Sequence, residues 1–130
     1  MPTLPWSSGP TTVAPDSEVV VMASRFRVHG LRHVLPFFLD AMRVHAQTRK
    51  ADGAIGVSLV AHPLGREFLT LSAWRDRDAL NAMVRAEPHR SVMKRQRAAM
   101  AEGVFRFWTA EAGTPPTWDE ATQRLCAPAP

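Results

Sequence analysis

The sequence predicts a single α+β domain in which strands and helices follow the order β-α-β-β-α-β, with an extra helix at the C-terminus. Three observations predict it. The length of 130 residues suits one domain. Four apolar segments have strand character, and the longer segments between them carry apolar residues at helical spacing. Two split β-α-β units of this kind form a four-stranded antiparallel sheet with helices on one face, which is the ferredoxin-like arrangement.

The N-terminal residues differ in composition from the rest of the chain. Residues 1–16 are rich in Pro, Ser, Thr and Gly and are predicted to form a flexible arm, because they bury too little apolar area to offset ordering. The ferredoxin-like domain is expected over residues 17–112, with a C-terminal helix and tail over residues 113–130. No secretory signal or membrane span is recognised, so the expected location is cytoplasmic, with no membrane partner.

Four strands are predicted from β-branched and alternating apolar residues. They run from Glu18 to Arg27, Ala54 to His62, Glu67 to Trp74 and Gly103 to Thr109. The turn Pro63-Leu64-Gly65-Arg66 joins the second and third strands into a hairpin. The second strand is expected to place Ile55, Val57, Leu59 and Ala61 on one face.

The first helix is predicted from Leu31 to Lys50, with the regular part beginning near Leu35 because Pro36 fits only a first turn. Gly53 ends it. Its apolar face is expected to carry Leu31, Leu35, Phe38, Met42 and His45.

Helical spacing recurs after the third strand. Asp76 is the expected cap of the second helix. A further helical segment follows Pro88, and a tail helix begins near Thr117 and ends near Leu125. One sheet face, with Leu69 and Leu71, is then left without a helical cover. A second copy of the chain would cover it, so a homodimer is predicted.

The composition excludes several functional classes. The chain has a net charge of +4, yet its arginines are spread over its whole length. The third strand, EFLTLSAW, lacks the basic-aromatic pattern of RNA-recognition domains, so no nucleic-acid partner is expected. Cys126 is the only cysteine. No phosphate-binding glycine loop, HExxH, CxxC or GxSxG motif occurs.

The candidate site lies on the helix side of the sheet. His89 follows Pro88 and is expected in the first turn of a helix, whose electropositive end disfavours the imidazolium form. A neutral imidazole can act as a general base or as a haem ligand. The alternative is a core histidine beside a core tryptophan, Trp74. The candidate substrate contacts are Thr70, Ser72, His45, Met93, Ser24 and Phe38.

Three sequence segments resemble the antibiotic biosynthesis monooxygenase superfamily of dimeric α+β barrels, with a fainter similarity to spheroidene monooxygenase. They are Thr70-Leu71-Ser72-Ala73-Trp74, Asp76 to Leu80, and Pro88-His89 to Met93. The resemblance implies a cavity between sheet and helices and a role for Trp74 and His89, which match the Trp and His of haem-degrading members. The strand Asn of those members is not matched, because Ser24 and its neighbours occupy that region.

The expected function is therefore that of a monooxygenase-like enzyme acting on a small hydrophobic or aromatic, polyketide-like substrate. His89 and Trp74 are the expected catalytic residues. No cofactor and no metal are expected, with haem on His89 as the alternative. Two further alternatives stay open, namely a non-redox cyclase or isomerase and a small-ligand-binding protein without activity.

Overall fold

The structure is a computed structural model that describes residues 3–126, except the side chain of Thr3. Its strands are β1 (Thr3–Ser8), β2 (Glu18–Val28), β3 (Ala54–His62), β4 (Glu67–Trp74) and β5 (Met100–Glu111). Its helices are α1 (Val34–Lys50), α2 (Arg77–Arg85), α3 (His89–Gln96) and α4 (Trp118–Cys126), with a short 3-10 turn at Leu31–His33. The strands form one antiparallel sheet in the order β1-β3-β4-β2-β5.

The predicted α+β, ferredoxin-like fold with an additional C-terminal helix is confirmed. Strands β2 to β5 with α1, α2 and α3 make the expected β-α-β-β-α-β unit. Local signals place the helix ends correctly. Asp76 Oδ1 accepts a hydrogen bond from the Ala79 amide at 2.8 Å. Gly53 has a φ of 89°, a conformation that favours glycine, between α1 and β3. No helix within residues 3–126 has the length and apolarity to cross a membrane.

The N-terminal segment differs from the predicted flexible arm, because Thr3–Ser8 form β1 and pair with β3. Met1 and Pro2 lie outside the described residues. The indole of Trp6 lies against Gly56, where a Cβ atom would come within 2.3 Å of the ring. Packing of the Trp6 indole on Gly56 thus stabilises β1, although the overall composition of the N-terminal segment is polar.

Helix α4 packs on the sheet face that was expected to lack a cover within the chain. Its Ala121 and Leu125 are buried in a cluster formed with Val19, Val21, Ala23, Leu69, Leu71, Ala73 and Trp108. The expectation that no helix of this chain serves that face is therefore wrong. The homodimer stays a prediction, without the uncovered face as its argument. The part of the predicted tail that follows Cys126 lies outside the described residues.

The faces of two elements also differ from the predicted ones. The register of β3 shifts between Ala54 and Gly56. As a result, Ile55 packs with the α4 side, while Val57 faces the other helices. The apolar face predicted for the first helix is wrong for Leu31, which lies in the 3-10 turn before α1, and for Leu35 on α1; they are 62% and 64% exposed.

The face of α1 that is buried carries Phe37, Asp40, His45 and Thr48. Phe37 joins an aromatic cluster, with its ring centroid 4.6 Å from Phe68 and 5.8 Å from Phe26. These contacts rotate the helix so that the aromatic side chain, rather than the leucines, meets the sheet.

Candidate functional site

A mostly apolar cavity lies between the sheet and helices α1 and α3. The volume that the centre of a water molecule can occupy is about 90 Å³. This is enough for several waters or a small apolar group. Met22, Val57 and Leu59 contribute to its sheet side, and Phe37 contributes from α1. Phe105 on the edge strand β5 is 43% exposed, whereas the other lining residues are buried or half-buried. Phe105 therefore marks the side on which the cavity approaches solvent.

The cavity brings together six of the eight side chains predicted from the sequence as site residues. They are His45, His89, Met93, Ser24, Thr70 and Ser72. The other two, Trp74 and Phe38, do not line it. Phe38 packs against Phe68 at a centroid distance of 6.4 Å, and its neighbour Phe37 takes the wall position.

Trp74 was expected to be a catalytic residue, and the structure places it outside the cavity lining, in contact with Ser72. Its side chain is fully buried with Ala79, Leu80 and Met83. Its Nε1 atom donates to Ser72 Oγ at 2.9 Å. Because that bond uses an acceptor position of Ser72, the hydroxyl proton of Ser72 remains available to a group in the cavity.

His89 begins helix α3, as the Pro-His pair predicted. Its buried Nδ1 atom has no hydrogen-bond partner. Burial lowers the pKa of His89, and the backbone carbonyl of Val84 opposes this in part. Near neutral pH the ring is thus uncharged, and its Nδ1 atom is without a hydrogen-bond partner.

Gln47 holds the backbone of His89 in place, which sequence reasoning did not foresee. The His89 amide donates to Gln47 Oε1 at 2.8 Å, and Gln47 Nε2 donates to the Met83 carbonyl at 3.1 Å. One side chain of α1 therefore ties α2 to the start of α3. Nothing in the local sequence marks Gln47, because its role depends on contacts 36 and 42 residues away.

His45 supplies a second imidazole from α1. It is 8% exposed, and its Nδ1 atom is buried without a hydrogen-bond partner. Burial lowers the pKa of His45, and the positive charge of Arg49 lowers it further. The cavity therefore contains two histidines that resist protonation.

Hydroxyl groups on the sheet add polar contacts. Ser24 on β2 and Thr70 on β4 are paired in the sheet, and their side-chain oxygens hydrogen-bond to each other. Only one hydroxyl proton is used between them, so the other is available to a ligand.

A buried carboxylate network borders the cavity and was missed by the sequence analysis. Asp40 is 3% exposed and accepts hydrogen bonds from Arg95 and from Gln96, a residue that lines the cavity. The Arg95 guanidinium is the main cause that lowers the pKa of Asp40 to about 2. The available signal was an aspartate among apolar residues in Phe37-Phe38-Leu39-Asp40-Ala41.

Haem does not fit this cavity. Cofactor sites have volumes of roughly 300–1,000 Å³, and the cavity offers about 90 Å³, with Phe37 and Phe68 in its walls. Within residues 3–126, no three His, Cys, Asp or Glu side chains cluster closely enough to hold a metal ion.

Comparison with protein families gives one match for this chain. The sequence model of a family described as "Domain of unknown function (DUF3291)" matches residues 36–127. A search of curated proteins finds no match.

Several solved structures share the fold. SnoaB, a cofactor-independent oxygenase from Streptomyces nogalater, is 20% identical with a TM-score of 0.61, over 73% of this chain and 95% of that one. A conserved protein from Methanosarcina mazei Go1 is 14% identical with a TM-score of 0.64, over 72% and 94%. An antibiotic biosynthesis monooxygenase is 14% identical with a TM-score of 0.64, over 70% and 97%. The predicted resemblance to the antibiotic biosynthesis monooxygenase superfamily is thereby confirmed for the fold.

Proposed function

The chain belongs to the DUF3291 family, and from that premise we propose that it is a monooxygenase-like enzyme for a small hydrophobic or aromatic substrate. The substrate binds in the cavity between the sheet and α1 and α3, and His89 acts as the general base. No cofactor takes part in the proposed reaction. The fold it shares with SnoaB, a cofactor-independent oxygenase, supports this proposal.

The single observation that carries the proposal is the buried Nδ1 atom of His89, which has no hydrogen-bond partner and belongs to a residue that lines an apolar cavity. A general base needs an unprotonated nitrogen within reach of the substrate proton. The proposal takes the unpartnered Nδ1 atom of His89 as that nitrogen, with the ring hydrogen on Nε2. After proton transfer, the imidazolium lies beside the substrate anion, and exclusion of water strengthens their attraction.

Hydroxyls on the strands stabilise the anion that forms. The Ser72 proton is free because Trp74 donates to the Ser72 oxygen. The Ser24–Thr70 pair offers one further proton. Fixed donors aimed at developing negative charge are a main source of catalysis in sites that exclude water.

The oxidative step needs molecular oxygen as the second substrate. His89 removes a proton from an acidic CH2 group, and the carbanion adds to oxygen to give a hydroperoxide after reprotonation. The hydroperoxide loses water to form a carbonyl. In sum, one CH2 group and one O2 give one C=O group and one water, so the substrate carbon is oxidised and oxygen is reduced.

Proton abstraction alone would also serve a non-redox isomerase or cyclase, so the test must separate the two. We would supply phenylacetone and 2-indanone, whose CH2 groups lie between a ring and a carbonyl, and measure oxygen uptake and the diketone product. His89→Gln keeps the size of the side chain without its basic nitrogen, and His29→Gln changes an exposed histidine as a control.

The proposal expects oxygen uptake that equals product formation and falls at least about a hundredfold in His89→Gln, as for loss of a general base. The His29→Gln control should retain the wild-type rate. Equal rates in wild type and His89→Gln would contradict the role of His89. Turnover that continues without oxygen would favour the isomerase or cyclase, and recovery of unchanged ligand would favour a binding protein.

The homodimer and the cytoplasmic location stay predictions from the sequence.

A further inference from the structure

Asp40 presents only hydrogen-bond acceptors to its neighbours. Its carboxylate accepts from Arg95 Nε at 3.0 Å and Nη2 at 2.7 Å, and from Arg43 Nη1 at 2.6 Å. An ionised carboxylate has no hydrogen to donate. Any group that approaches Asp40 must therefore do so with a donor.

Gln96 meets this requirement with its amide nitrogen. Its Nε2 atom donates to Asp40 Oδ2 at 2.6 Å, and the residue is 6% exposed. Reversing the amide would place two oxygens against each other, so the carboxylate fixes the orientation of Gln96. In the described part of the chain, Oε1 of Gln96 makes no hydrogen bond, although the residue lines the cavity.

We propose that Gln96 determines substrate specificity by accepting a hydrogen bond from a hydroxyl or N–H group of the ligand, with Asp40 as the residue that positions its amide. The proposal rests on the cavity being the substrate site of the proposed function. The Gln96 amide oxygen favours ring compounds with a donor group over hydrocarbons of the same shape. A hydrocarbon would leave a buried amide oxygen unpaired, which disfavours its binding.

Few other groups around the cavity can accept a hydrogen bond from a ligand. The Thr48 hydroxyl donates to the Val44 carbonyl at 2.9 Å and has no free proton. The hydroxyls of Ser72 and of the Ser24–Thr70 pair are available mainly as donors. A ligand donor is therefore directed to Gln96 Oε1 or to the free histidine nitrogens.

The test measures binding rather than turnover, by calorimetric titration near neutral pH with two pairs of isosteric probes. Phenol and toluene compare a donor with a hydrocarbon, and pyridine and benzene compare an acceptor with a hydrocarbon. Gln96→Met removes the amide at similar size. Lys94→Met is the control, because Lys94 lies on the same helix at an exposed position outside the cavity. Thermal unfolding of each variant verifies that it is folded.

In the wild type, phenol should bind more tightly than toluene, and Gln96→Met should reduce that ratio about tenfold, the value of one net hydrogen bond. Lys94→Met should keep the wild-type ratio. Asp40→Asn should shift preference toward pyridine, because the amide nitrogen introduced by this substitution can donate to Gln96 Oε1 and turn the Gln96 nitrogen toward the cavity.

An unchanged phenol-to-toluene ratio in Gln96→Met would overturn the proposal. Failure of the wild type to bind any of the four ring compounds would overturn it together with the proposed function. If Gln96→Met changes the ratio as expected while no oxygen uptake is found with any substrate, the role of Gln96 stands and the oxygenase proposal fails.

Discussion

Replacing Asp40 by asparagine removes a buried negative charge while keeping the shape of the side chain. The Arg95 guanidinium holds the pKa of Asp40 at about 2, against an ordinary value of 3.8, with further help from Gln96 and Arg43. Burial acts in the opposite direction and is outweighed. The carboxylate thus favours the folded state, in which its partners are assembled.

The lowered pKa sets the size and sign of the effect. A carboxyl group with a pKa of about 2 when folded and 3.8 when unfolded contributes about 2 kcal/mol to the free energy of unfolding at neutral pH. Because the folded pKa is the lower one, this contribution is present above about pH 4 and is lost as the pH falls toward 2. Asparagine resembles the protonated carboxyl group and lacks the contribution at every pH.

Urea unfolding followed by tryptophan fluorescence at several pH values between 7 and 2 measures this difference. Asp40→Asn should be about 2 kcal/mol less stable than the wild type at neutral pH, and the two stabilities should converge as the pH approaches 2. Asp16→Asn, at an exposed position, serves as the control for general charge effects. A gap between wild type and Asp40→Asn that stays constant down to low pH would refute the reasoning.

Three further outcomes follow from the contacts described above. Asp76→Ala removes the cap of α2 and should lower the free energy of unfolding by about 1 kcal/mol. The control, Asp78→Ala, is at an exposed position in the first turn of the same helix and should lower it less. Equal losses in the two variants would contradict the role of Asp76 as the cap. Gly56→Ala should displace β1 and shift tryptophan emission to the red, a change that should vanish in a Trp6→Phe background. Addition of haem should give no shifted Soret band, and a band that weakens in His89→Ala would show that the cavity opens to admit it.

The strands could be predicted well because their signals are local. Alternating β-branched residues and the turn at 63–66 define β2, β3 and β4 to within a residue at each end. The face of α1 could not be predicted in the same way. The sequence near Asp40 does not show that it is buried, because its partner Arg95 lies 55 positions later in the chain.

In the candidate site, too, residues with local sequence signals could be predicted, and residues with distant partners could not. His89 was found because Pro88 marks a helix start and an adjacent imidazole has known electrostatic consequences. Thr70 and Ser72 were identified as candidate site residues because alternate residues of a strand lie on the same face of the sheet. Gln47 and Gln96 carry no sequence mark, since each gains its role from partners on other helices.

The proposed chemistry depends on His89 being a neutral imidazole with hydrogen on Nε2 and a free Nδ1. Long-range proton–nitrogen NMR of the histidine rings, with His89 assigned from the spectrum of His89→Ala, tests this directly. The proposal predicts an unprotonated Nδ1 signal, and the lowered pKa of His89 predicts that it persists as the pH falls below 6.5, the ordinary pKa of histidine. A His89 ring with hydrogen on Nδ1, or one that titrates at or above 6.5, would contradict the assignment of His89 as the base.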